Sequence, residues 1–407
     1  MANKVSEFAL NLWIKVRLKA PPFMQRTLVL RLHEVKEAVR LLARPYLPVY
    51  QLQGQGCGGP LTVTYVGLGL SKPFLQDVIF AEKPAEQRVG RILFWRLDQL
   101  DNVAAGDIVV VEAVKRLIRR LPCQNAIVLP SYVHHILDVQ GDWQDVQRRF
   151  HRSVRRHELR LIRKYGYKYD VSADRGDFEK FYHEMYLPTM DSRHGELSMP
   201  VPVSEAYQYF QHGYLFRVVR DGDWVSGSIC HLQQDVLMGD LLGVKNADAQ
   251  LIREGATVAA YYATIQWANQ HGCGAVNFLG SGPYIATGRF QHKRKWGGAV
   301  SVPPHLHRQV WIRVRRSTPA VSQFLKQTPV IVVDQDGTLH GLITTDDPHN
   351  VPTETRKEWE KNYATPGLSD LIVRSPSYFT GEQGNDGTLD LVIPISFHSD
   401  SGTEDDS

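Results

Sequence analysis

Asp240 on a glycine-bent segment, His194 in a polar turn, and the phenols of Tyr261 and Tyr284 are the side chains here that could pass a proton to or from a reacting group. Each also has a plainer role: a paired or exposed carboxylate for Asp240, a solvated loop for His194, packing for the tyrosines. Around them lie features suited to an anion. GDLLGV (239–244) bends at two glycines, and the run Arg253-Glu254-Gly255-Ala256 opens a helical pattern with no bulky side chain over its first amides. Lys293, Arg294 and Lys295 stand between Phe290 and Trp296. A helix N-terminus beside glycine-bearing strand ends, with fixed cations opposite, is a way to hold a pyrophosphate. Gly255 as a simple packing glycine and residues 290–296 as a strand with outward lysines stay open as alternatives.

The elements that must position these groups follow from periodicity. LMGDLLGVKN reads as a short strand. In LIREGATVAAYYATIQWANQHG the residues Ile252, Ala256, Ala259, Ala263 and Trp267 fall at helical spacing. AVNFLGSG reads as a strand ending in glycines, and GRFQHKRKWGG as a cationic loop. Upstream, LFRVVRDGDWVSGSICHLQQDVLMGDLLGV predicts three antiparallel strands, the first pair turning at Asp221-Gly222. FEKFYHEMYLPTMDSRHG predicts a helix ending near Pro188. Residues 25–145 mix helical stretches (VLRLHEVKEAVRLLARPYL and AGDIVVVEAVKRLIRRL) with strand-like runs (LTVTYVGLGL, RILFWRLDQL, AIVLPSYVHHIL). After residue 300, QVWIRVRR reads as a strand, TPAVSQFLKQ as a helix and PVIVVDQDGTLHGLITT as a hairpin turning at Asp336-Gly337.

Length and composition set the limits. A chain of 407 residues exceeds one hydrophobic core, so two or three domains are expected. Apolar residues at 43% and charged ones at 22% are those of a soluble globular protein, and no apolar run reaches the length of a membrane span. Four scattered cysteines without a CxxC pair, and no clean signal segment, point to a reducing, cytoplasmic setting and away from a structural zinc. The net charge of +4 demands no nucleic acid, but its distribution is uneven. QRRFHRSVRRHELRLIRKYGYK (147–168) holds nine Arg or Lys residues against Glu158 alone and predicts an amphipathic basic helix stopped by Gly166. From about Gly381 the chain turns acidic and polar, as a disordered tail does. GQGCGG and GLGLSK lack the spacing of a nucleotide loop, there is no GxSxG or HExxH, and His134-His135 are adjacent rather than i, i+4.

On SVRRHELRLIRKYGYK, LFRVVRDGDWVSGSIC, REGATVAAYYATIQWA and FQHKRKWGG, residues 147–298 resemble the acetyltransferase domain of the GNAT superfamily, in the Fem-like branch that includes the BioF2-like acetyltransferases. The better-known phosphate loop of that superfamily has Gln or Arg three residues before its first glycine; here Ile252 holds that place, with Arg253 beside it. The resemblance implies an α/β (α+β) fold, a mixed sheet flanked by helices, in two tandem units plus a small C-terminal extension. The boundaries expected are 1–146, 147–300, 301–380 and an acidic tail, 381–407. It implies acyl transfer from acetyl-CoA or another acyl-CoA, without a metal, to an amine on a small molecule, sugar or peptide. An aminoacyl-tRNA donor, or a non-catalytic protein on the same fold, are the alternatives. In that frame Leu242, Gly243 or Val244 would supply an oxyanion-binding N–H. Arg253, Glu254, Gly255 and Ala256 would hold the carrier. Asp240, His194 and Tyr284 would move protons, and Lys293, Arg294, Lys295 and Trp296 would meet the substrate.

Overall fold

The computed structural model describes residues 45–102, 105–194, 200–304, 306–380 and 391–395. Most of the first expected helix, VLRLHEVKEAVRLLARPYL, and most of the acidic tail lie outside them. The described chain forms two compact units. One holds residues 134–280 and 292–298; the other holds the remainder.

The second unit begins with β1 (Tyr46–Gly56), β2 (Gly59–Val66), α1 (Lys72–Ile79), β3 (Ala85–Leu93), β4 (Ile108–Val114), α2 (Lys115–Ile118) and β5 (Ala126–Pro130). AGDIVVVEAVKRLIRRL, expected as a helix, is instead strand over Ile108–Val114 and helical only over Lys115–Ile118. Its run Ile108–Val111 is buried on both faces, and β-branched side chains suit a central strand better than a helix. RILFWRLDQL leaves the strand at Leu93 and continues as a 3-10 turn, Phe94–Asn102.

The first unit follows with β6 (Val133–Asp138), α3 (Trp143–Arg148), a π-helical turn at Val154–Glu158, α4 (Leu159–Lys164) and β7 (Lys168–Ser172). Gly166, at φ 58°, ends the basic helix as expected. Next come α5 (Arg175–Phe181), a second π-turn (Tyr182–Tyr186), α6 (Leu187–His194) and α7 (Val203–Gln211). The helix expected to stop near Pro188 instead runs on to His194. Pro188 is the second residue of α6, where the missing N–H is tolerated, and the π-turn before it absorbs the register change. Then come β8 (Gly213–Arg220), β9 (Asp223–Gln233), β10 (Val236–Val244), α8 (Ala249–Arg253), α9 (Ala256–Gln270) and β11 (Ala275–Ser281). The β8–β9 turn falls at Asp221-Gly222, both at positive φ as a type I′ turn requires.

Within this unit the strand order is β6-β11-β10-β9-β8-β7. One face is covered by α3, α4 and α9, whose alanines let it lie close over Phe216, Leu237 and Val276. The other is covered by α5, the second π-turn and α7, packed on Leu215, Ile229 and Leu241.

The chain continues with α10 (Gly288–Arg294), β12 (Ala299–Ser301), β13 (Arg308–Val314), α11 (Pro319–Gln327), β14 (Val330–Val333), β15 (Leu339–Thr344), α12 (Thr353–Tyr363), β16 (Asp370–Arg374) and β17 (Leu391–Pro394). The second unit carries two sheets, β3-β1-β2-β4-β13-β5 and β14-β15-β16-β17. Because β13 lies between β4 and β5, the segment after residue 300 belongs to the same unit as residues 45–133, not to a separate extension. Likewise Leu391–Pro394, inside the expected disordered tail, pairs with β16. All three sheets are mixed, and helices flank them, as the fold class read from the sequence requires.

Candidate functional site

In the first unit β10 pairs antiparallel with β9 over its whole length, from Val236 to Val244, with a bulge between Gly239 and Leu241. On its other side it pairs in parallel with β11 only at Val236, Leu237 and Met238. Beyond Met238 the two strands part. β11 turns away at Leu279, a non-glycine residue at φ 59° whose N–H donates to the Asn277 side chain at 2.8 Å. The result is a wedge opening along the C-terminal half of β10.

Which backbone groups face that wedge follows from alternation along an antiparallel strand. The Val244 N–H donates to Thr189 Oγ1 at 2.9 Å and its carbonyl accepts from the same hydroxyl at 3.3 Å, so Val244 faces away from β9. Leu242, two residues earlier, faces the same way, into the gap left by β11. Gly243 between them faces β9. Of the three residues expected to offer an oxyanion donor, Val244 is thus spent on Thr189, and Leu242 is the one turned to the wedge. Gly243 serves close packing instead. A Cβ there would lie 2.5 Å from the Met185 carbonyl carbon, so the strand and the π-turn touch backbone to backbone. Gly243→Ala should therefore cost about 1–3 kcal/mol by overpacking, read from the urea midpoint, and should lower any turnover that depends on the Leu242 amide.

The bulge also aims Asp240. Its Oδ2 lies 2.5 Å from His231 Nδ1, and the two side chains are only 6% and 1% exposed. The Tyr209 ring lies parallel to the imidazole, centroids 5.5 Å apart. His231 Nε2 has no hydrogen-bond partner among the described residues. With Nδ1 turned to a carboxylate, Nε2 is the ring nitrogen that the neutral imidazole offers as acceptor, the arrangement of an oriented general base. Across the sheet His231 pairs with Met238 and Met238 with Asn277, so all three share one face. Asn277 Nδ2 is 3.0 Å from His134 Nδ1, which extends this polar row to β6. His231 was missed by sequence reasoning. The usable signal was the two-residue connection Gln234-Asp235, which fixes the β9–β10 register and brings residue 231 near 240.

The start of α9 is more enclosed than expected. Gly255 stands at φ 99°, and a Cβ there would meet Leu161 of α4 at 3.1 Å. The Glu254 carboxylate is bound by the Arg220 guanidinium and accepts from Gln250 Nε2 at 2.5 Å; these bonds, Arg220 first, hold its pKa below the ordinary value. Arg253 is exposed and donates to Gln250 Oε1 at 2.9 Å. Glu254 therefore braces the α8–α9 junction rather than meeting a phosphate, and Ala256 is fully buried. Beside α8, Arg220, Asp221, Asp223, Lys245, Asn246 and Asp248 line a cavity of about 290 Å³. Its acids outnumber its bases, which does not suit a pyrophosphate.

GRFQHKRKWGG is a helix followed by a buried aromatic rather than an open cationic loop. Lys293 Nζ donates to the Gly280 carbonyl at 2.7 Å and so ties α10 to the diverging end of β11. Burial pushes the Arg294 guanidinium down to about 10. Lys295 pairs with Glu158. Trp296 is fully buried, stacked on Tyr261 at 5.7 Å and edge-on to Phe150 at 5.2 Å. Tyr261 is thereby a packing residue. Burial of His135, with Lys293 nearby, lowers its pKa to about 3 and keeps it neutral.

Two further expected residues remain. Tyr284 belongs to the second unit, buried in its core with its phenol pushed above the ordinary value by burial first and Glu112 second. That environment opposes proton donation to a leaving thiolate. His194 closes α6, and its side chain lies outside the described residues. On the basic segment Arg148 pairs with Asp145 and Arg149 with Asp138. Arg152, Arg155, Arg156, Arg160 and Arg163 are exposed and form no ion pair among the described residues. No described helix is long and apolar enough to cross a membrane.

No protein-family model matches the chain, and no curated protein matches it. Solved structures do. L-PGS from Bacillus licheniformis is similar over 67% of this chain and 87% of its own, at 12% identity and a TM-score of 0.33. FemX is similar over 65% and 83%, at 12% identity and a TM-score of 0.36. A GCN5-related N-acetyltransferase from Sphaerobacter thermophilus is similar over 62% and 71%, at 12% identity and a TM-score of 0.29.

Proposed function

We propose that the first unit is an N-acyltransferase that moves an acyl group from acyl-CoA to an amine. The observation that carries this reading is the wedge between β10 and β11, with the Leu242 N–H turned into it and the His231–Asp240 pair on the face beside it. The thioester arm lies along β10 in the gap, where strand edges offer hydrogen bonds that no neighbouring strand takes. His231 Nε2 removes a proton from the acceptor ammonium, and Asp240 holds the imidazole in the tautomer that can accept it. The neutral amine attacks the thioester carbonyl, forming the C–N bond. The oxyanion receives the Leu242 N–H. Collapse breaks the C–S bond; the departing thiolate takes the proton held by His231, and the surplus proton on the new amide nitrogen goes to solvent. Arg253, exposed beside the α8–α9 junction, is the cation available to the carrier's phosphates. Cys230 is no nucleophile in this scheme: burial, with Asp240 second, pushes its thiol up to about 12.

The test is release of free CoA thiol from acetyl-CoA, measured with and without each member of a broad amine panel. Amine-dependent release supports the reading. Acetyl-CoA binding without turnover of any amine would favour a binding protein on the same fold.

A second reading replaces acyl-CoA with an aminoacyl-tRNA. It is favoured by the exposed arginines Arg152, Arg155, Arg156, Arg160 and Arg163, which repel one another without an anionic partner. Under it, affinity for tRNA should exceed that for a generic polyanion and fall steeply with salt. Filter binding from 50 to 200 mM salt, with heparin as competitor, distinguishes the two.

A further inference from the structure

On the face of the sheet that carries His231, helix α7 presents Glu205, Gln208, Tyr209 and His212 at the i, i+3, i+4 and i+7 spacing of one stripe. Tyr209 fixes where that stripe points. Its ring covers His231, and its hydroxyl donates to Glu205 Oε1 at 2.8 Å. The next residue after His212, Gly213, pairs with His231 across β8–β9. A Cβ on Gly213 would lie 2.1 Å from the Cys230 carbonyl oxygen and 2.7 Å from that of Tyr209, so the helix end rests directly on the strand.

Three buried polar atoms in this region have no hydrogen-bond partner among the described residues: Gln208 Oε1, His212 Nε2 and His231 Nε2. Each such atom costs roughly 1–3 kcal/mol when left unsatisfied. Three gathered around one stripe and the strand beneath it mark a place where a polar ligand belongs. The composition says which kind. The stripe holds a carboxylate, an amide oxygen and an imidazole but no Lys or Arg, and Glu205 has no ion pair among the described residues. Hydrogen-bond acceptors and negative charge suit a ligand rich in N–H donors and positive charge.

We propose that this stripe takes the acceptor's second ammonium, so that the acceptor is a di- or polyamine. One ammonium is seated by Glu205 and Gln208 Oε1, while the other reaches His231 and is acylated. Glu205 Oε1 stands beside His231 through Tyr209, whose hydroxyl is 2.8 Å from the carboxylate and whose ring centroid is 5.5 Å from the imidazole, a separation that a short diamine can bridge. The inference rests on the transferase reading of the same site and adds the class of acceptor to it.

The test compares kcat/KM of the intact chain for 1,4-diaminobutane and for butylamine, with acetyl-CoA as donor. The diamine should be preferred by about tenfold or more, and Glu205→Gln should bring the ratio close to one, mainly by raising KM for the diamine. Equal kcat/KM for the two amines in the unaltered protein would overturn the inference and leave the transferase reading intact. A preference that survives in Glu205→Gln would overturn it too. If acetyl-CoA binds and no amine in the panel is acetylated, the transferase reading fails, and this inference with it.

Discussion

Exchanging His231 for glutamine should lower kcat/KM for amine acetylation by about 10²–10⁴-fold, the usual contribution of a positioned general base, while acetyl-CoA still binds. Glutamine fills similar space and keeps a polar group near Asp240, so packing beneath Tyr209 is largely retained. What is lost is a group that can accept a proton. Asp240→Asn should lie between that variant and the unaltered protein. The amide can still touch Nδ1, but it no longer favours the tautomer with a free Nε2. Steady-state kinetics with the donor saturated checks both. Turnover unchanged in His231→Gln would remove the imidazole from the mechanism.

Glu112→Ala in the second unit should destabilise that unit by about 3–5 kcal/mol, as removal of one partner from a buried ionic network does. Glu112 is 1% exposed. Its carboxylate accepts from the Tyr65 hydroxyl and from the Ser71 N–H at 3.2 Å, at the entrance of α1, with Arg308 Nη1 at 3.8 Å. Gly67, at φ 152°, leaves room for this approach: a Cβ there would stand 2.7 Å from the Glu112 carbonyl oxygen. Glu112 thus sits where an anion would otherwise meet the helix N-terminus, and the second unit fills that place from within. The alanine variant leaves two buried donors unanswered and removes the negative charge near Arg308. Glu112→Gln should lose less, since its amide oxygen can still accept. Urea unfolding followed by tryptophan fluorescence measures both. A loss below about 1 kcal/mol for alanine would mean the carboxylate is no keystone of that unit.

The order strand, small-residue helix, strand between Leu237 and Ser281 was legible because each element has a strong local period, and because Gly255 and Gly166 mark helix ends by their backbone freedom. The turns at Asp221-Gly222 and Asp336-Gly337 were equally plain; in the second, Asp334 caps the Gly337 and Thr338 amides. What local pattern could not supply was pairing. Residues 108–114 carry a pattern that suits a buried helix or a central strand, and only β2 and β13 on either side decide it. Trp296 looked like a ligand-facing aromatic because its partner Tyr261 lies thirty-five residues earlier in the chain. The site divided in the same way. Asp240 and the bent strand were readable from GDLLGV, whereas His231 enters only through strand register and a bulge. Choosing Leu242 over Val244 required Thr189, which lies on helix α6, more than fifty residues earlier in the chain.

The central claim is that a thioester carrier occupies the wedge along the outer half of β10. Hydrogen–deuterium exchange of the intact chain, with and without saturating acetyl-CoA, tests it most directly, because amides facing the gap have no strand partner to slow them. The account predicts slower exchange in peptides spanning residues 239–247 when acetyl-CoA is present, with protection assigned to the Leu242 amide. Exchange there unchanged at saturating acetyl-CoA, or protection confined to other parts of the chain, would contradict it.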